Sequence, residues 1–368
     1  MLTIIFYFFI GIVVIQLLYY SIVFGKFSFA KAQKTTPKKI GISVIVCAKN
    51  EADNVVQFIP LLAEQDYPNY EIILIDDASS DATLEILEEF EKKYSNIRLV
   101  KVENNEAFWG NKKYALTLGI KASQKDYLLF TDADCYPATK DWITTMSSQF
   151  TMNKTIVLGY GAHEKIVGSL LNKIIRFETM LTAIQYFSWS KMGYPYMGVG
   201  RNLAYKKEEF YNVNGFIDHM KIRSGDDDLF INQVANSKNT TLCYLPESFT
   251  YSKPKTTFKD WFNQKRRHLT TADFYKPFDK FRLVLFYASQ LFFIIFSIVL
   301  LAFQYQWIAV LSIIVFRYIV AWISLGFASV KLKEKDVMYW FPIIEIVLIF
   351  TQLNIFITNI FSKPLHWK

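Results

Sequence analysis

Charged residues are missing from the first part of the chain. No charged side chain lies between Leu2 and Phe24, and a helix of this length crosses the roughly 30 Å hydrocarbon core of a bilayer. A cleavable signal peptide is the alternative, but its basic start, shorter apolar core and small-residue cleavage site are not present. We therefore predict a retained transmembrane helix over residues 1–24.

A basic linker follows over residues 25–40. Its lysines are not accompanied by any acidic residue, and the positive-inside rule therefore places this side of the membrane, and the domain after it, in the cytoplasm. The lysines are Lys26, Lys31, Lys34, Lys38 and Lys39.

A second apolar region begins near residue 281 and continues to residue 368. The uncharged stretch from Leu283 to Phe316 is too long for one span, and polar residues 304–306 divide it into a helical hairpin. The last apolar segment, 337–361, either spans or re-enters the membrane: Pro342, Gln352 and Asn354 favour re-entry, as do Lys363 and Lys368, which would prefer the cytoplasmic side. We predict two to three transmembrane or re-entrant segments.

Two ionisable residues, Arg317 and Glu345, lie inside this C-terminal apolar region. Ionisable side chains in such segments usually find partners or line a functional cavity. We predict that these two form a pair.

The middle of the chain alternates short apolar runs with amphipathic segments, as repeated βα units do. Polar residues follow several of the predicted strands, and the carboxyl ends of parallel strands form the ligand-binding edge of open α/β sheets. The pattern predicts strands over 42–47, 70–75 and 97–102, a helix over 112–122, and a strand that ends at Asp132 and Asp134.

The two carboxylates of Asp132 and Asp134 are separated by one residue. Such a pair can share a hard divalent cation, because Mg2+ favours one or two carboxylates together with substrate phosphate oxygens. A solvated strand end is the alternative interpretation, and the motif needs support from the rest of the chain.

Composition supports a membrane protein. The chain has 52% hydrophobic and 17% aromatic residues, above the roughly 45–50% apolar content of soluble domains. The net charge of +8 fits lipid headgroups better than nucleic acid, because the lysines cluster beside apolar segments. The three cysteines are too far apart for a metal or disulfide pattern.

Five segments in order resemble the motifs of family 2 glycosyltransferases of GT-A fold, in the membrane-embedded branch that includes hyaluronan, chitin and cellulose synthases, poly-N-acetylglucosamine synthases and ceramide glucosyltransferases. They are Ser43–Glu51, Ile75–Thr83, Asp132–Asp134, Ser224–Asp228 and Gln264–His268. The resemblance implies an α/β fold with a Rossmann-like mixed sheet in a cytoplasmic GT-A domain over residues 41–280. Helices near 168–192 and 257–276 are predicted to lie in the membrane interface, although a core helix is an equally good interpretation of the first.

The resemblance also implies which residues bind the donor and a Mg2+ or Mn2+ ion. Asp134 would bind the metal, with Asp132 beside it facing the ribose or the sugar. The other donor-binding residues implied are Ala48, Glu51, Asp76, Asp77, Lys112, Gln264, Arg267 and His268. Arg267 would contact the diphosphate, and His268 replaces the tryptophan that the family usually carries near the acceptor.

The acidic run resembles the catalytic-base motif of the family. The general base would be Asp227, with Asp226 as the neighbouring acid and Asp228 as a further alternative, and mutual repulsion should raise at least one pKa in the run. The glycine-containing loop before it would contact the acceptor through Gly200 and Asn202.

We therefore expect a membrane-bound inverting glycosyltransferase that moves a hexose or N-acetylhexosamine from a UDP-sugar to a lipid or lipid-linked hydroxyl, in glycolipid or polysaccharide biosynthesis. A processive polysaccharide synthase is one alternative. A non-catalytic membrane scaffold that binds a nucleotide sugar is another.

Overall fold

The structure is a computed structural model that describes residues 1–31, 36–103, 112–222 and 224–362. Three lysines from which the sequence analysis infers orientation in the membrane lie outside the described residues, namely Lys34, Lys363 and Lys368. The described chain falls into two compact units. The sheet unit takes its residues from Ala32–Lys165 and Gly193–Pro254, and the helical unit from Met1–Lys31, Ile166–Met192 and Lys255–Pro364.

The strands of the described chain all belong to the sheet unit. In chain order they are β1 (Ile42–Ala48), β2 (Tyr70–Asp76), β3 (Ile97–Lys101), β4 (Tyr127–Asp132), β5 (Cys135–Pro137), β6 (Ile156–Leu158), β7 (Gly161–His163), β8 (Leu203–Lys206), β9 (Thr240–Leu242) and β10 (Thr250–Ser252).

The α-helices are divided between the two units. In chain order they are α1 (Leu2–Leu18), α2 (Phe24–Ser28), α3 (Ala52–Ala63), α4 (Thr83–Lys93), α5 (Lys112–Ala122), α6 (Trp142–Ser147), α7 (Leu170–Lys191), α8 (Lys207–Asn212), α9 (Asp228–Val234), α10 (Phe258–Leu269), α11 (Pro277–Ala302), α12 (Trp307–Lys331) and α13 (Phe341–Phe361). A π-helical turn, Tyr19–Val23, joins α1 to α2.

A seven-stranded mixed sheet forms the centre of the sheet unit, in the order β3-β2-β1-β4-β8-β6-β9. Strands β3, β2, β1 and β4 are parallel to one another, whereas β8 is antiparallel to both β4 and β6. A smaller sheet has the order β5-β10-β7. The α/β architecture and the four sequence-predicted strands are confirmed, and the antiparallel β8 makes the sheet mixed, as the GT-A resemblance implies.

Strands β1, β2 and β4 consist mainly of buried β-branched and aliphatic residues, which suits parallel strands covered on both faces. Their register brings the carboxyl ends to one level, because Ala48 lies opposite Asp76 and Cys47 lies opposite Asp132. Helix α5 packs closely against β2: a Cβ at Gly119 would lie 2.2 Å from Cδ1 of Ile75. The close packing at Gly119 fixes α5, and therefore the lysines at its start, against the sheet.

Four helical segments of the described chain are long and apolar enough to cross a membrane, namely Leu2–Ser28, Pro277–Ala302, Trp307–Lys331 and Lys335–Phe361. The break between α11 and α12 falls at residues 303–306, where Gln304 and Gln306 have positive φ angles. The predicted hairpin is therefore confirmed. Whether the last segment crosses or re-enters a membrane stays a prediction.

The predicted pair of Arg317 and Glu345 is confirmed. Two nitrogens of the fully buried guanidinium donate to the two carboxylate oxygens at 2.8 and 2.6 Å. Tyr20 from the π-helical turn and Gln290 of α11 also donate to this carboxylate, at 3.0 and 3.2 Å. The pair thus ties α12 to α13 and to the N-terminal helix inside the helical unit.

Helices α7 and α10, which the sequence analysis placed in the membrane interface, belong to the helical unit by their packing. Helix α7 buries most of its length and packs against α2 and α13. Its buried Arg176 forms ion pairs with Glu334 and Asp336. An interfacial position for the two helices stays a prediction.

Candidate active site

The carboxyl ends of β1 and β2 carry the first group of predicted donor-binding residues. The backbone N–H of Asp77 donates to the carbonyl oxygen of Ala48 at 2.9 Å, and the Asp77 carboxylate accepts from Lys49 at 3.5 Å. Burial raises the pKa of Asp77, while Lys49 opposes this shift. Among the residues that the structure describes, the buried Oδ1 of Asp76 has no hydrogen-bond partner, so a ligand donor at this edge would satisfy it.

The loop after β1 is held in place by hydrogen bonds to its neighbours. The backbone N–H of Glu51 donates to Oγ1 of Thr83 at 2.8 Å, and Asn54 donates to the Glu51 carboxylate at 2.6 Å. Asn50 has a positive φ of 53°, a left-handed conformation that asparagine tolerates. Ala48 and Glu51 therefore stand on a fixed turn next to the Asp76–Asp77 pair.

Lys112, the first residue of α5, connects two predicted parts of the site. Its Nζ donates to Oδ1 of Asp132 at 2.7 Å and lies 3.2 Å from Oδ2 of Asp226. Burial works against the charge, but the two carboxylates hold the pKa of Lys112 well above its usual range. The ammonium is therefore a permanent positive charge between the donor-side acid and the predicted catalytic acids.

A divalent cation fits the end of β4. Ligand atoms of Asp132, Asp134 and Cys135 all lie within 4.8 Å of one another. Burial and the negative charges of Asp132 and Glu51 raise the pKa of Asp134. A cation at this point would offset the repulsion among these carboxylates. The two carboxylates are the hard oxygen ligands that Mg2+ and Mn2+ prefer. The Cys135 thiol is a poor ligand for such ions, and burial raises its pKa well above the usual range.

The predicted base, Asp227, precedes α9 and accepts two backbone hydrogen bonds. The N–H of Gly200 donates to its Oδ2 at 2.6 Å and the N–H of Asp228 to its Oδ1 at 2.7 Å. Burial, together with the charges of Asp226 and Asp228, raises its pKa to about 8. A carboxylate with a pKa near the working pH is suited to take a proton from a hydroxyl.

One cavity of the sheet unit is lined both by predicted donor-binding residues and by the predicted catalytic acids. Its polar lining includes Lys112, Asp132, Gly200, Asp226 and Asp227, and its apolar lining includes Ile45, Phe130, Leu203, Tyr205 and Phe216. The predicted donor side and the predicted base are therefore brought together in a single concave space.

Lys113 is a residue of this region that the sequence analysis missed. Its side chain is fully buried, and Nζ donates to the carbonyl oxygens of His219, Ile222 and Ser224 at 2.7, 3.0 and 2.8 Å. Burial lowers its pKa to about 8, while the acids at 226–228 act in the opposite direction. Lys113 thus anchors the segment that leads into the acidic run. In the sequence, two adjacent lysines at the start of a helix do not indicate that the second one anchors a distant segment.

Asn202, a predicted acceptor contact, lies inside the sheet unit. Its side chain is fully buried. The amide accepts from Trp142 at 3.1 Å and donates to the carbonyl oxygens of Tyr160 and Ser248 at 2.9 and 2.6 Å. These three hydrogen bonds hold Asn202 within the sheet unit, and its predicted acceptor contact stays a prediction. Gly200 lines the cavity, and its predicted acceptor contact stays a prediction.

Gln264, Arg267 and His268 lie on α10 in the helical unit. Their spacing of three and four residues puts them on one face of the helix. The carbonyl oxygens of Arg267 and His268 accept hydrogen bonds from Thr270 and Thr271, at 2.7 and 2.9 Å, which close the end of the helix. The predicted contacts of these three side chains with the donor stay predictions.

Comparison with known proteins identifies the family of the chain. Residues 43–228 match glycosyl transferase family 2, and residues 156–350 match glycosyl transferase family group 2. The chain belongs to glycosyl transferase family 2. The first match covers β1 to the start of α9, which includes every predicted site residue of the sheet unit.

This family 2 chain is 30% identical over 190 residues to a dolichyl N-acetyl-alpha-D-glucosaminyl phosphate 3-beta-D-2,3-diacetamido-2,3-dideoxy-beta-D-glucuronosyltransferase of Methanococcus voltae, covering 50% of this chain and 55% of the relative. It is 37% identical over 94 residues to a poly-beta-1,6-N-acetyl-D-glucosamine synthase of Staphylococcus epidermidis, covering 26% and 22%. The chain spans about half the length of the first of these relatives.

A solved structure with a similar fold is a mannosyltransferase of Pyrobaculum calidifontis in complex with GDP-Man and Mn2+. The TM-score is 0.60 with 18% sequence identity, and the alignment covers 90% of this chain and 99% of the other. At this identity the likeness establishes the fold alone, and it confirms the GT-A architecture.

Proposed function

We propose that the protein transfers a sugar from a nucleotide-sugar donor, a UDP-sugar in the first place, to the hydroxyl of a lipid or lipid-linked acceptor, with inversion at the anomeric carbon. The observation that carries the proposal is the single cavity lined by Lys112 and Asp132 on one side and by Gly200 and Asp227 on the other. Its lining supplies a lysine that can face a diphosphate leaving group and a carboxylate that can act as a general base.

In the proposed reaction, the acceptor hydroxyl oxygen forms a bond to the anomeric carbon while the bond from that carbon to the diphosphate oxygen breaks. The diphosphate leaves with the electron pair. The hydroxyl proton passes to the carboxylate of Asp227, which the N–H groups of Gly200 and Asp228 hold in a fixed orientation. Lys112 stabilises negative charge on the departing diphosphate.

Asp132 and Asp134 would hold a Mg2+ or Mn2+ ion. When bound, such an ion supplies charge neutralisation for the diphosphate without proton transfer. The carboxylates themselves keep the metal site at the carboxyl edge of β4, next to Lys112.

The two relatives support both acceptor classes. The Methanococcus voltae relative is named for a dolichyl-linked phosphosugar and the Staphylococcus epidermidis relative for a polysaccharide. We favour the lipid-linked acceptor, because the described chain has four helical segments long enough to cross a membrane, which are few for a wide polymer pore. Such a protein would work at the cytoplasmic membrane, with the sheet unit on the cytoplasmic side and membrane lipids around the helical unit.

The test uses the full chain in detergent or nanodiscs with Mn2+, a lipid extract and a panel of UDP- and GDP-sugars. Nucleoside diphosphate release and mass spectrometry of the lipids are measured for the wild type and for Asp227→Asn. Acceptor-dependent release and a lipid heavier by one sugar, both lost in the variant, are expected.

Each other outcome replaces part of the proposal. A ladder of products indicates a processive polysaccharide synthase. Donor binding without release, for any donor and any extract, indicates a non-catalytic scaffold. Release only from GDP-sugars changes the donor class and leaves the reaction type in place.

A further inference from the structure

The three residues before β8, Gly200, Arg201 and Asn202, each contact a different part of the sheet unit. The N–H of Gly200 donates to Asp227, and the side chain of Asn202 enters the core of the sheet unit. Between them, the Arg201 guanidinium reaches the small sheet. Its Nη1 donates to Oγ of Ser252 at 2.9 Å and to the carbonyl oxygen of Ala162 at 3.3 Å. The guanidinium is therefore attached to β7 and β10 through one nitrogen.

Two further contacts keep this side chain in place. Nη1 of Arg201 lies 3.3 Å from Nε2 of His163, whose Nδ1 is 3.0 Å from Oγ of Ser252. Gly161 leaves room for the arginine: a Cβ at that position would lie 3.0 Å from Cβ of Arg201 and 3.2 Å from its Nε. The absence of a side chain at Gly161 thus forms a slot that fits Arg201.

The rest of the guanidinium is open. Within the described parts of the chain, Nε and Nη2 of Arg201 have no hydrogen-bond partner, and no carboxylate oxygen lies within 4.0 Å of the group. A positive charge that is fixed on one side and open on the other suits binding of an anion rather than a structural ion pair.

The open guanidinium belongs to the edge that carries the predicted metal ligands. Arg201 donates to Ser252 of β10, which lies opposite Cys135 of β5, the residue that follows Asp134. Its neighbour in sequence, Gly200, lines the cavity. Arg201 and Lys112 therefore place two positive charges in reach of the carboxylates at the end of β4.

We propose that Arg201 is a phosphate-binding residue that contacts a phosphate group of a substrate beside Asp134, an inference that rests on the proposed function. The planar fork of a guanidinium matches two phosphate oxygens, which a lysine cannot reproduce. The phosphate belongs either to the diphosphate of the donor or to a phosphate-linked lipid acceptor. Both present the same chemistry, and the experiment separates them.

The experiment compares Arg201→Met with Arg98→Met in the full chain. Arg98 is a matched control, because its Nη1 also donates to a backbone carbonyl oxygen, that of Ala122, from an exposed position on β3. Binding of UDP and GDP with Mn2+ is measured by calorimetry. For the acceptor arm, KM is measured with a polyprenyl phosphate-linked sugar and with a phosphate-free glycolipid.

If the donor supplies the phosphate, Arg201→Met weakens binding of the nucleoside diphosphate by about 10- to 100-fold, as expected for loss of hydrogen bonds to a charged group, and Arg98→Met changes nothing. If the acceptor supplies it, nucleotide binding is unchanged and KM rises by a similar factor for the phosphate-linked acceptor only. Unchanged values in both arms overturn the assignment of Arg201. A wild type that binds neither UDP nor GDP overturns the proposed function instead.

A second variant distinguishes the loss of the phosphate contact from a general folding defect. Gly161→Ala keeps the arginine but fills its slot, so it should displace the guanidinium and lower phosphate binding in the same arm as Arg201→Met. The thermal unfolding midpoint is recorded for each variant. If Gly161→Ala has the unfolding midpoint of the wild type and also uses the nucleoside diphosphate and the phosphate-linked acceptor like the wild type, the position of Arg201 is unimportant and the proposal is wrong.

Discussion

The backbone N–H of Gly200 donates a 2.6 Å hydrogen bond to Oδ2 of Asp227, although the two residues are 27 positions apart in the chain. The contact is close because Gly200 has no side chain: a Cβ there would lie 3.3 Å from the same oxygen. The glycine therefore allows the close backbone contact that orients the carboxylate of the proposed base.

The pH dependence of transfer should report Asp227. Its pKa of about 8 lies above the ordinary value of 3.8, so most of the group is protonated at pH 7 and the active carboxylate form increases as pH rises through 8. We expect kcat/KM to rise with pH and to level off above about pH 8. Asp227→Asn should lower the rate about 10²- to 10⁴-fold and remove this limb.

Asp226→Asn provides the control for that profile. Removing a neighbouring negative charge favours ionisation of Asp227, so the limb should move to lower pH. A limb that stays in place in both variants would assign it to a different group.

Metal dependence should follow Asp134 and not Cys135. Loss of one carboxylate ligand in Asp134→Asn should raise the Mn2+ concentration for half-maximal binding by more than the roughly tenfold expected for an outer-shell partner. Free Mn2+ measured by electron paramagnetic resonance gives this value without any turnover. Cys135→Ser should bind Mn2+ like the wild type, and an equal loss in both variants would contradict the carboxylate site.

Lys113 should act on turnover more than on donor affinity. Lys113→Met leaves three carbonyl oxygens without their donor, at a cost of at most about 1–3 kcal/mol each, and loosens the segment before Asp226. We expect kcat to fall about tenfold or more by analogy with other misplaced catalytic groups, while the donor KM stays within about twofold of the wild-type value, because Lys113 itself is not a proposed donor contact.

Lys121→Met is the matched control for Lys113→Met, since Lys121 lies on the same helix and is exposed. It should leave both constants unchanged. A donor KM that rises in step with a falling kcat/KM, at constant kcat, would show that Lys113 serves donor binding instead.

The pair of Arg317 and Glu345 should be strongly coupled. Removing one partner of a buried ion pair leaves the other charge unpaired and typically costs about 3–5 kcal/mol. We expect the double variant Arg317→Ala/Glu345→Ala to lose clearly less stability than the two single losses added together. The measurement is denaturant unfolding in detergent. Lys206 and Glu208, an exposed pair at 2.6 Å, give a control cycle with little coupling.

Local sequence patterns were sufficient for the elements that carry the site. Helix α5 begins at Lys112 and ends at Ala122 as predicted, and β4 ends at Asp132. Both predictions depend on periodicity and on where an apolar run stops, which are properties of neighbouring residues. The pairing of Arg317 with Glu345 was also predictable, because few ionisable residues occur in such apolar segments.

The sequence by itself therefore determined the βα pattern, the acids at the strand ends and the four apolar segments, since each depends on residues close together in the chain. Only the tertiary structure decided that Asn202 is buried, that Lys113 anchors a segment as far away as Ser224, and that Arg201 turns toward the small sheet. The physical reason is that hydrogen-bond partners of buried polar groups come from distant parts of the chain, and their identity is fixed only when the strands take their order in the sheet.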